Sequence, residues 1–247
     1  MILKDYHVHS TYSDGKNTPE EIVLQAISLG MSEIGFSDHC YGDYCEEYCI
    51  AWNKLDGYAE EINRLKDKYK DKISVLLGIE QDYYSEASTE PYDYVIGSVH
   101  FVKVGDTYVE VDGSREEQIQ GVKLYFGGDY KAFYRAYFAN VKDVVNKTGC
   151  DIIGHFDLVS KFNGLGDIFD ENDPDYIAAW KDAADTLLES GKVFEINTGA
   201  VSRGYRSQPY PSKPIFDYLK SKGAKFILSS DAHKKENLCF LFEKFVL

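Results

Sequence analysis

A chain of 247 residues that is 44% hydrophobic and 15% aromatic has the apolar material for one sizeable core. This excludes a disordered chain and fits a single domain over residues 1–247. Its formal charge of −14 at pH 7 excludes a broad nucleic-acid surface, because phosphate backbones select basic patches.

In chain order, residues 1–9 form a short strand candidate, with Ile2 and Leu3 leading into His7-Val8-His9. Thr18-Pro19-Glu20-Glu21 supplies an N-cap, a proline at the first helical position and acids in the first turn. Ile22, Val23, Ala26 and Ile27 fall on one face of the helix that follows, and Gly30 stops it. A strand is expected near Glu33–Ser37, then a helix carrying Leu55, Tyr58, Ile62, Leu65 and Tyr69. Strands near Ile73–Ile79 and Tyr94–Val99 follow, and Val102–Val111 is rich in β-formers flanking Gly105-Asp106, as in a hairpin.

A helix with Phe133, Tyr137, Val141, Val144 and Val145 on its apolar side precedes a strand at Asp151–Gly154. Ile177, Trp180, Ala184, Leu187 and Leu188 mark another helix, followed by the strand Val193–Ile196. A helix from Ser212-Lys213-Pro214 to Gly223 leads to the last strand, Lys225–Leu228. Strands separated by helices predict parallel βαβ units in a closed barrel or an open doubly wound sheet. The absence of G-x-G-x-x-G and G-x-x-x-x-G-K-[ST] after any strand counts against nucleotide binding.

The first residues, Met1-Ile2-Leu3-Lys4-Asp5, lack the apolar core of a signal peptide, and no run of about 18 apolar residues occurs. A cytoplasmic protein without a membrane partner is expected. Cys40, Cys45, Cys49, Cys150 and Cys239 are then expected to be reduced thiols rather than a disulfide framework. The first three could be read as a zinc or iron–sulfur site. Their C-x4-C-x3-C spacing fits neither, however, and no fourth cysteine is close, so incidental loop thiols are the better reading.

His7, His9, Asp38, His39, Glu80, His100, His155, Glu195, Asp231 and His233 all fall at or just past the end of a predicted strand. Strand C-termini converge on one face of an α/β barrel, so these residues would ring one mouth. One histidine at a strand end is ordinarily a satisfied polar residue, but all six histidines behave this way here. His7-Val8-His9 has the period-two spacing that sends two imidazoles to one side of a strand, and Asp231-Ala232-His233 repeats it with a carboxylate. Glu80 closes the apolar run Val75–Ile79, where a charge needs a partner or a metal. Asp14, before Gly15, can equally be a turn residue. Nitrogen and carboxylate ligands without thiolate suit two or three divalent ions, Zn, Mn or Fe, clamping a phosphoryl group.

The motifs His7-x-His9, Ser37-Asp38-His39, Gly78-Ile79-Glu80, Ser98-Val99-His100, Gly154-His155-Phe156-Asp157, Glu195-Ile196-Asn197-Thr198 and Ser229-Ser230-Asp231-Ala232-His233 resemble the PHP (polymerase and histidinol phosphatase) family in order and spacing. Within it, the resemblance is greatest to the monofunctional histidinol-phosphate phosphatases. The resemblance implies a distorted (β/α)7 TIM-like barrel with a trinuclear centre acting on a small phosphorylated substrate. By it, His7, His9, Glu80 and Asp231 look like the first metal's ligands. Glu80 would bridge to a second ion with His100 and His155, while Asp14, His39 and His233 would hold a third and take part in catalysis. Arg203 and Lys161 look like phosphate contacts, although a loop cation is ordinarily a solvated surface charge.

The expected reaction is in-line attack of a metal-bridging hydroxide on a phosphate monoester, with His233 or Asp157 near the leaving oxygen. Asp43, Glu46 and Glu47 are expected to meet the substrate's amine. Two rivals remain: a phosphoesterase acting on nucleotides, sugar phosphates or phosphotyrosine, and a non-catalytic metal-binding docking module. Nothing in the sequence specifies an oligomeric state. Only 14 residues follow His233, fewer than the family commonly carries, and Leu238–Phe242 are expected to pack on the barrel.

Overall fold

A computed structural model describes residues 3–245, so the Ile2 end of the first strand candidate lies outside the described residues. The chain enters through a two-residue strand, β1 (Lys4–Asp5), and the first helix, α1 (Pro19–Ser28), begins at a complete capping box. Thr18 Oγ1 accepts the Glu21 amide while the Glu21 carboxylate accepts the Thr18 amide at 2.9 Å, using two of the donors that a helix start leaves open. β2 (Glu33–Phe36) follows, and then α2 (Leu55–Tyr69), which buries Tyr58, Ile62, Leu65 and Tyr69 at the helical spacing expected.

β3 (Ser74–Asp82) and β4 (Tyr94–Ser98) form the middle of the sheet. β5 (Phe101–Val104) and β6 (Thr107–Glu110) pair antiparallel around Gly105-Asp106, making the anticipated hairpin. α3 (Arg115–Tyr125) was not anticipated; it buries only Gln118 and Val122, too few apolar positions to register as an amphipathic period. α4 (Tyr130–Thr148) starts on an Asp129 cap and ends at Gly149, whose φ of 67° is the left-handed conformation of a helix stop. β7 (Ile152–Ile153), α5 (Pro174–Glu189), β8 (Val193–Asn197), the single turn α6 (Gly199–Ser202), α7 (Lys213–Ser221) and β9 (Lys225–Ser229) complete the chain.

Seven strands pair in parallel in the order β1-β2-β3-β4-β7-β8-β9, the topology of a distorted (β/α)7 barrel. The two ends meet at one parallel bridge, Val8 to Ala232, where the His9 amide donates to Ala232 O at 3.0 Å and the Ala232 amide donates to His7 O at 3.2 Å. Helices cover the sheet through two main apolar clusters. One packs α1 and α2 on β2 and β3; the other packs α4, α5 and α7 on β7 and β8. In the tail, Leu238 joins the first of these, and Phe242 is buried against Ile196 and Leu228, as expected. Among the described residues, no helix is long and apolar enough to cross a membrane.

The expectation for the cysteines is corrected at one pair: Cys45 and Cys49 form a disulfide, whereas Cys40, Cys150 and Cys239 are free. A single turn, closed by the Cys49 amide on Cys45 O at 3.1 Å, brings the two Cα atoms to 5.9 Å. A helical i,i+4 juxtaposition of thiols is invisible to rules about metal-cluster spacing.

One aromatic ring ties the barrel together. Tyr94 donates to Phe36 O at 3.0 Å and to Tyr6 O, crossing β3, and it can do so only because Gly78 has no side chain. A Cβ at Gly78 would lie 2.3 Å from the Tyr94 ring. Gly78→Ala is therefore expected to lower stability by about 1–3 kcal/mol through overpacking, read from the urea midpoint; an unchanged midpoint would mean that the ring can retreat.

Candidate metal centre

The Val8–Ala232 bridge sets the first four side chains. His7 and His9 flank Val8, Asp231 and His233 flank Ala232, and His9 Nε2 lies 3.3 Å from Asp231 Oδ1. Asp231 holds a φ of 49°, a left-handed conformation unusual for a residue with a side chain, and its carboxylate packs directly on Gly199. β3 contributes Glu80, with both carboxylate oxygens buried at the centre. Its Oε2 is 2.9 Å from His39 Nδ1, 3.3 Å from His7 Nε2 and 3.7 Å from His9 Nε2. Its Oε1 is 3.0 Å from His155 Nε2 and 3.4 Å from His100 Nε2. Asp14 is not merely a turn residue, since Oδ2 meets His233 Nε2 at 3.0 Å and Oδ1 lies 3.7 Å from His39 Nε2.

All nine candidate ligands are thus brought together. Within them, three overlapping groups have ligand atoms mutually within 4.8 Å: His9, Asp14, His39 and His233; His7, His9 and Glu80; His39, Glu80 and His100. Several of these atoms are buried without a hydrogen-bond partner, including His7 Nε2, both ring nitrogens of His9, Glu80 Oε2 and Asp14 Oδ1. Orphaned polar atoms at that density are costly unless something electrophilic binds among them. The donor set and its orphaned atoms fit divalent cations.

Two residues expected at strand ends, Glu80 and Glu195, lie inside β3 and β8, which run on to Asp82 and Asn197. Glu195 and Asp38 face neighbours rather than the centre. Glu195 Oε2 sits 2.9 Å from His7 Nδ1, fixing the ring so that Nε2 points inward. Asp38 spends its oxygens on the amides and hydroxyls of Ser10 and Ser13, pinning the loop that carries Asp14. Asp82, passed over in the sequence, holds His100 Nδ1 at 3.2 Å as Glu195 holds His7. Period two from Glu80 already puts Asp82 on the same strand face.

Burial alone would neutralise these groups, but their mutual field decides otherwise. Burial works against ionised Glu80, yet His7, His39 and His100 hold it well below the usual carboxylate range. Burial likewise opposes charge on Asp231, which Arg203 and His7 keep ionised. Against burial, Glu195 and Glu80 raise His7 well above its ordinary value, and Glu80 raises His100 and His39. His9 moves the other way, down to about 3, through burial and the nearby His233 and His39.

The centre opens into a cleft of about 270 Å³. Arg203 and Lys161 both line it, with their donors partly engaged. Arg203 Nη2 meets Asp231 Oδ2 at 2.9 Å and its Nη1 lies 3.0 Å from His233 Nδ1; Lys161 Nζ donates to Asp112 O at 2.6 Å and Oδ2 at 3.1 Å. Two other expectations are corrected. Asp157 is fully buried, accepts the Ser212 amide at 3.1 Å and does not line the cleft. Asp43, Glu46 and Glu47 are exposed and outside it; from their loop only Tyr48 reaches in, packing edge-on against His39 at 5.1 Å. The further acids lining the cleft are instead Glu110 and Asp112, at and beyond the end of the β5–β6 hairpin. Burial, Asp112 and Glu117 raise the Glu110 pKa to about 7.

With His7, His39 and His100 shifted upward, the metal-free centre carries protons at neutral pH that a cation must displace. Zn2+ uptake is expected to release protons and to weaken as pH falls, measured by calorimetry in buffers of different ionisation enthalpy. Glu195→Gln is expected to weaken uptake by about 10–100-fold. Proton-neutral uptake would contradict this charge balance.

Comparison with known proteins agrees with this geometry. The PHP domain model matches residues 5–199. The histidinol-phosphatase of Lactococcus lactis is 32% identical over 94% of this chain and 85% of its own length. A solved structure of a histidinol phosphate phosphatase from Lactococcus lactis, complexed with Zn, L-histidinol and phosphate, superposes with a TM-score of 0.70 at 26% identity, covering 98% of this chain and 93% of the other. A protein of Listeria monocytogenes, provisionally named a histidinol phosphatase, shares the fold with a TM-score of 0.84 at 19% identity over 98% of this chain and all of the other. With the family model spanning most of the barrel and its motifs meeting at one buried centre, the chain belongs to the PHP domain family.

Proposed function

We propose that this protein hydrolyses L-histidinol phosphate to L-histidinol and inorganic phosphate at the cleft over the buried histidine–carboxylate centre, as a histidinol-phosphatase of the PHP family. The observation that carries this reading is the set of groups lining one cleft: the ligand-type residues, the cations Arg203 and Lys161, and the acids Glu110 and Asp112, with Lys161 Nζ 3.1 Å from Asp112 Oδ2. A substrate that carries both a phosphate and cationic groups matches that set of charges.

In this reading His7, His9, Glu80 and Asp231 would hold one ion, Glu80 with His100 and His155 a second, and Asp14, His39 and His233 a third. Zn, Mn and Fe all suit the donors. Bound ions would supply Lewis acidity and a nucleophile competent at neutral pH. The chain's own residues do the rest. Lys161 offers the phosphoryl oxygens a point charge, and Arg203, tied to Asp231, presents its remaining donors in a fixed plane. His233, with Nδ1 against Arg203 and Nε2 against Asp14, ties that arginine to the residues that would hold the third ion. Tyr48 and Tyr205 wall the cleft and restrict water. A cytoplasmic location goes with this activity.

The main rival is a PHP phosphoesterase acting on another ester, and the cleft acids argue against anionic or neutral leaving groups. On metal-loaded protein, L-histidinol phosphate is expected to be hydrolysed faster than nucleoside monophosphates, sugar phosphates or phosphotyrosine. Glu110→Gln with Asp112→Asn is expected to raise its KM by about tenfold or more. Faster turnover of phosphotyrosine would overturn the substrate assignment, and no turnover of any ester would leave a docking module. His233→Asn is expected to lower kcat on metal-loaded protein by about 10–100-fold or more, because it removes a ligand of the third ion and the partner of Arg203.

A further inference from the structure

A second cavity, of about 530 Å³, lies between the loop at residues 163–172, α5 and the start of α7. It shares no lining residue with the metal cleft. Arg206 forms its cationic wall. The side chain is 8% exposed, lies over the Tyr210 ring at 4.9 Å, and has Asp157 Oδ2 3.9 Å away. Nη1 donates to Ser160 Oγ, but Nε and Nη2, with three of the five guanidinium N–H donors, meet no acceptor among the described residues. Tyr176, also lining the cavity and 2% exposed, has a hydroxyl without a partner.

Asp170 and Glu171 supply the opposite sign at the rim. Asp170 Oδ1 accepts the Asn172 amide at 2.9 Å, and Glu171 Oε1 accepts Asn163 Nδ2 at 2.8 Å. Their second oxygens have no partner among the described residues. A simple anion would face these two acids, and a simple cation would face Arg206. A molecule carrying both charges a few atoms apart satisfies both walls. Three rings, Phe169, Tyr176 and Trp180, line it beside Asn163, Leu165, Gln208 and Ile215.

We infer that this cavity is a binding site for a free aromatic α-amino acid, its carboxylate on Arg206, its ammonium on Asp170 and Glu171, and its ring against Phe169 and Trp180. The site is independent of the hydrolytic reading, so its test does not depend on turnover.

The chain has two tryptophans, Trp52 and Trp180, and Trp180 lines the cavity. In metal-loaded Trp52→Phe protein, L-phenylalanine is expected to change Trp180 fluorescence saturably at submillimolar to millimolar concentration. L-phenylalaninol, which replaces the carboxylate by an alcohol, and glycine, which keeps both charges without the ring, should each bind at least about tenfold more weakly. Asp170→Asn with Glu171→Gln sits on an exposed stretch of loop and keeps the Arg206–Asp157 pair, so it folds while losing about tenfold in affinity. No saturable response, an equal response to phenylalaninol or glycine, or unchanged affinity in the double variant would overturn the proposal.

Discussion

One backbone contact governs the site. The parallel bridge between Val8 and Ala232 closes the barrel where its first and last strands meet, and four candidate ligands are its immediate neighbours. Because side chains alternate along extended chain, residues on either side of a bridging position point the same way, and two such pairs in register place His7, His9, Asp231 and His233 around one point. Barrel closure and site assembly are therefore the same event. The positive φ of Asp231 and the missing side chain at Gly199 are the local accommodations that let its carboxylate reach the centre.

The centre is held by opposed charges that burial would otherwise neutralise. Glu80 touches five imidazoles, directly or within 4 Å, and stays ionised because their field outweighs its desolvation. Around it, Glu195 orients His7, Asp82 orients His100, Asp38 pins the Ser10–Ser13 loop and Arg203 holds Asp231. These contacts fix which ring nitrogen faces inward. Without them the cluster could hold the same residues and still lack a common focus.

The strands and long helices were legible because their apolar periods and caps are local properties. Thr18 through Glu21 states the start of α1 in four residues, and Tyr58, Ile62, Leu65 and Tyr69 state the buried face of α2. α3 was not legible, since a helix burying two positions leaves no periodic trace. Eight of the nine ligand-type positions were legible as well, because a histidine or acid at every strand end has no local explanation; Asp14, in a turn before Gly15, came only through the family resemblance. Asp38 and Glu195 carry the same sequence signature and do different work, and nothing local separates a residue facing the centre from one facing its neighbour.

The sequence by itself determined the succession of strands and helices, the period-two pairs at both ends of the chain, and the chemical type of the centre, because each depends on residues close together in the chain. Only the tertiary structure decided the rest. It moved the cleft acids from Asp43, Glu46 and Glu47 to Glu110 and Asp112, withdrew Asp157 into a contact with Ser212, joined Cys45 to Cys49, and set Arg206 beside a cavity lined in part by aromatic rings. Those outcomes depend on where loops land once the barrel has closed. Loop paths follow from long-range packing and charge rather than from the pattern of neighbouring residues.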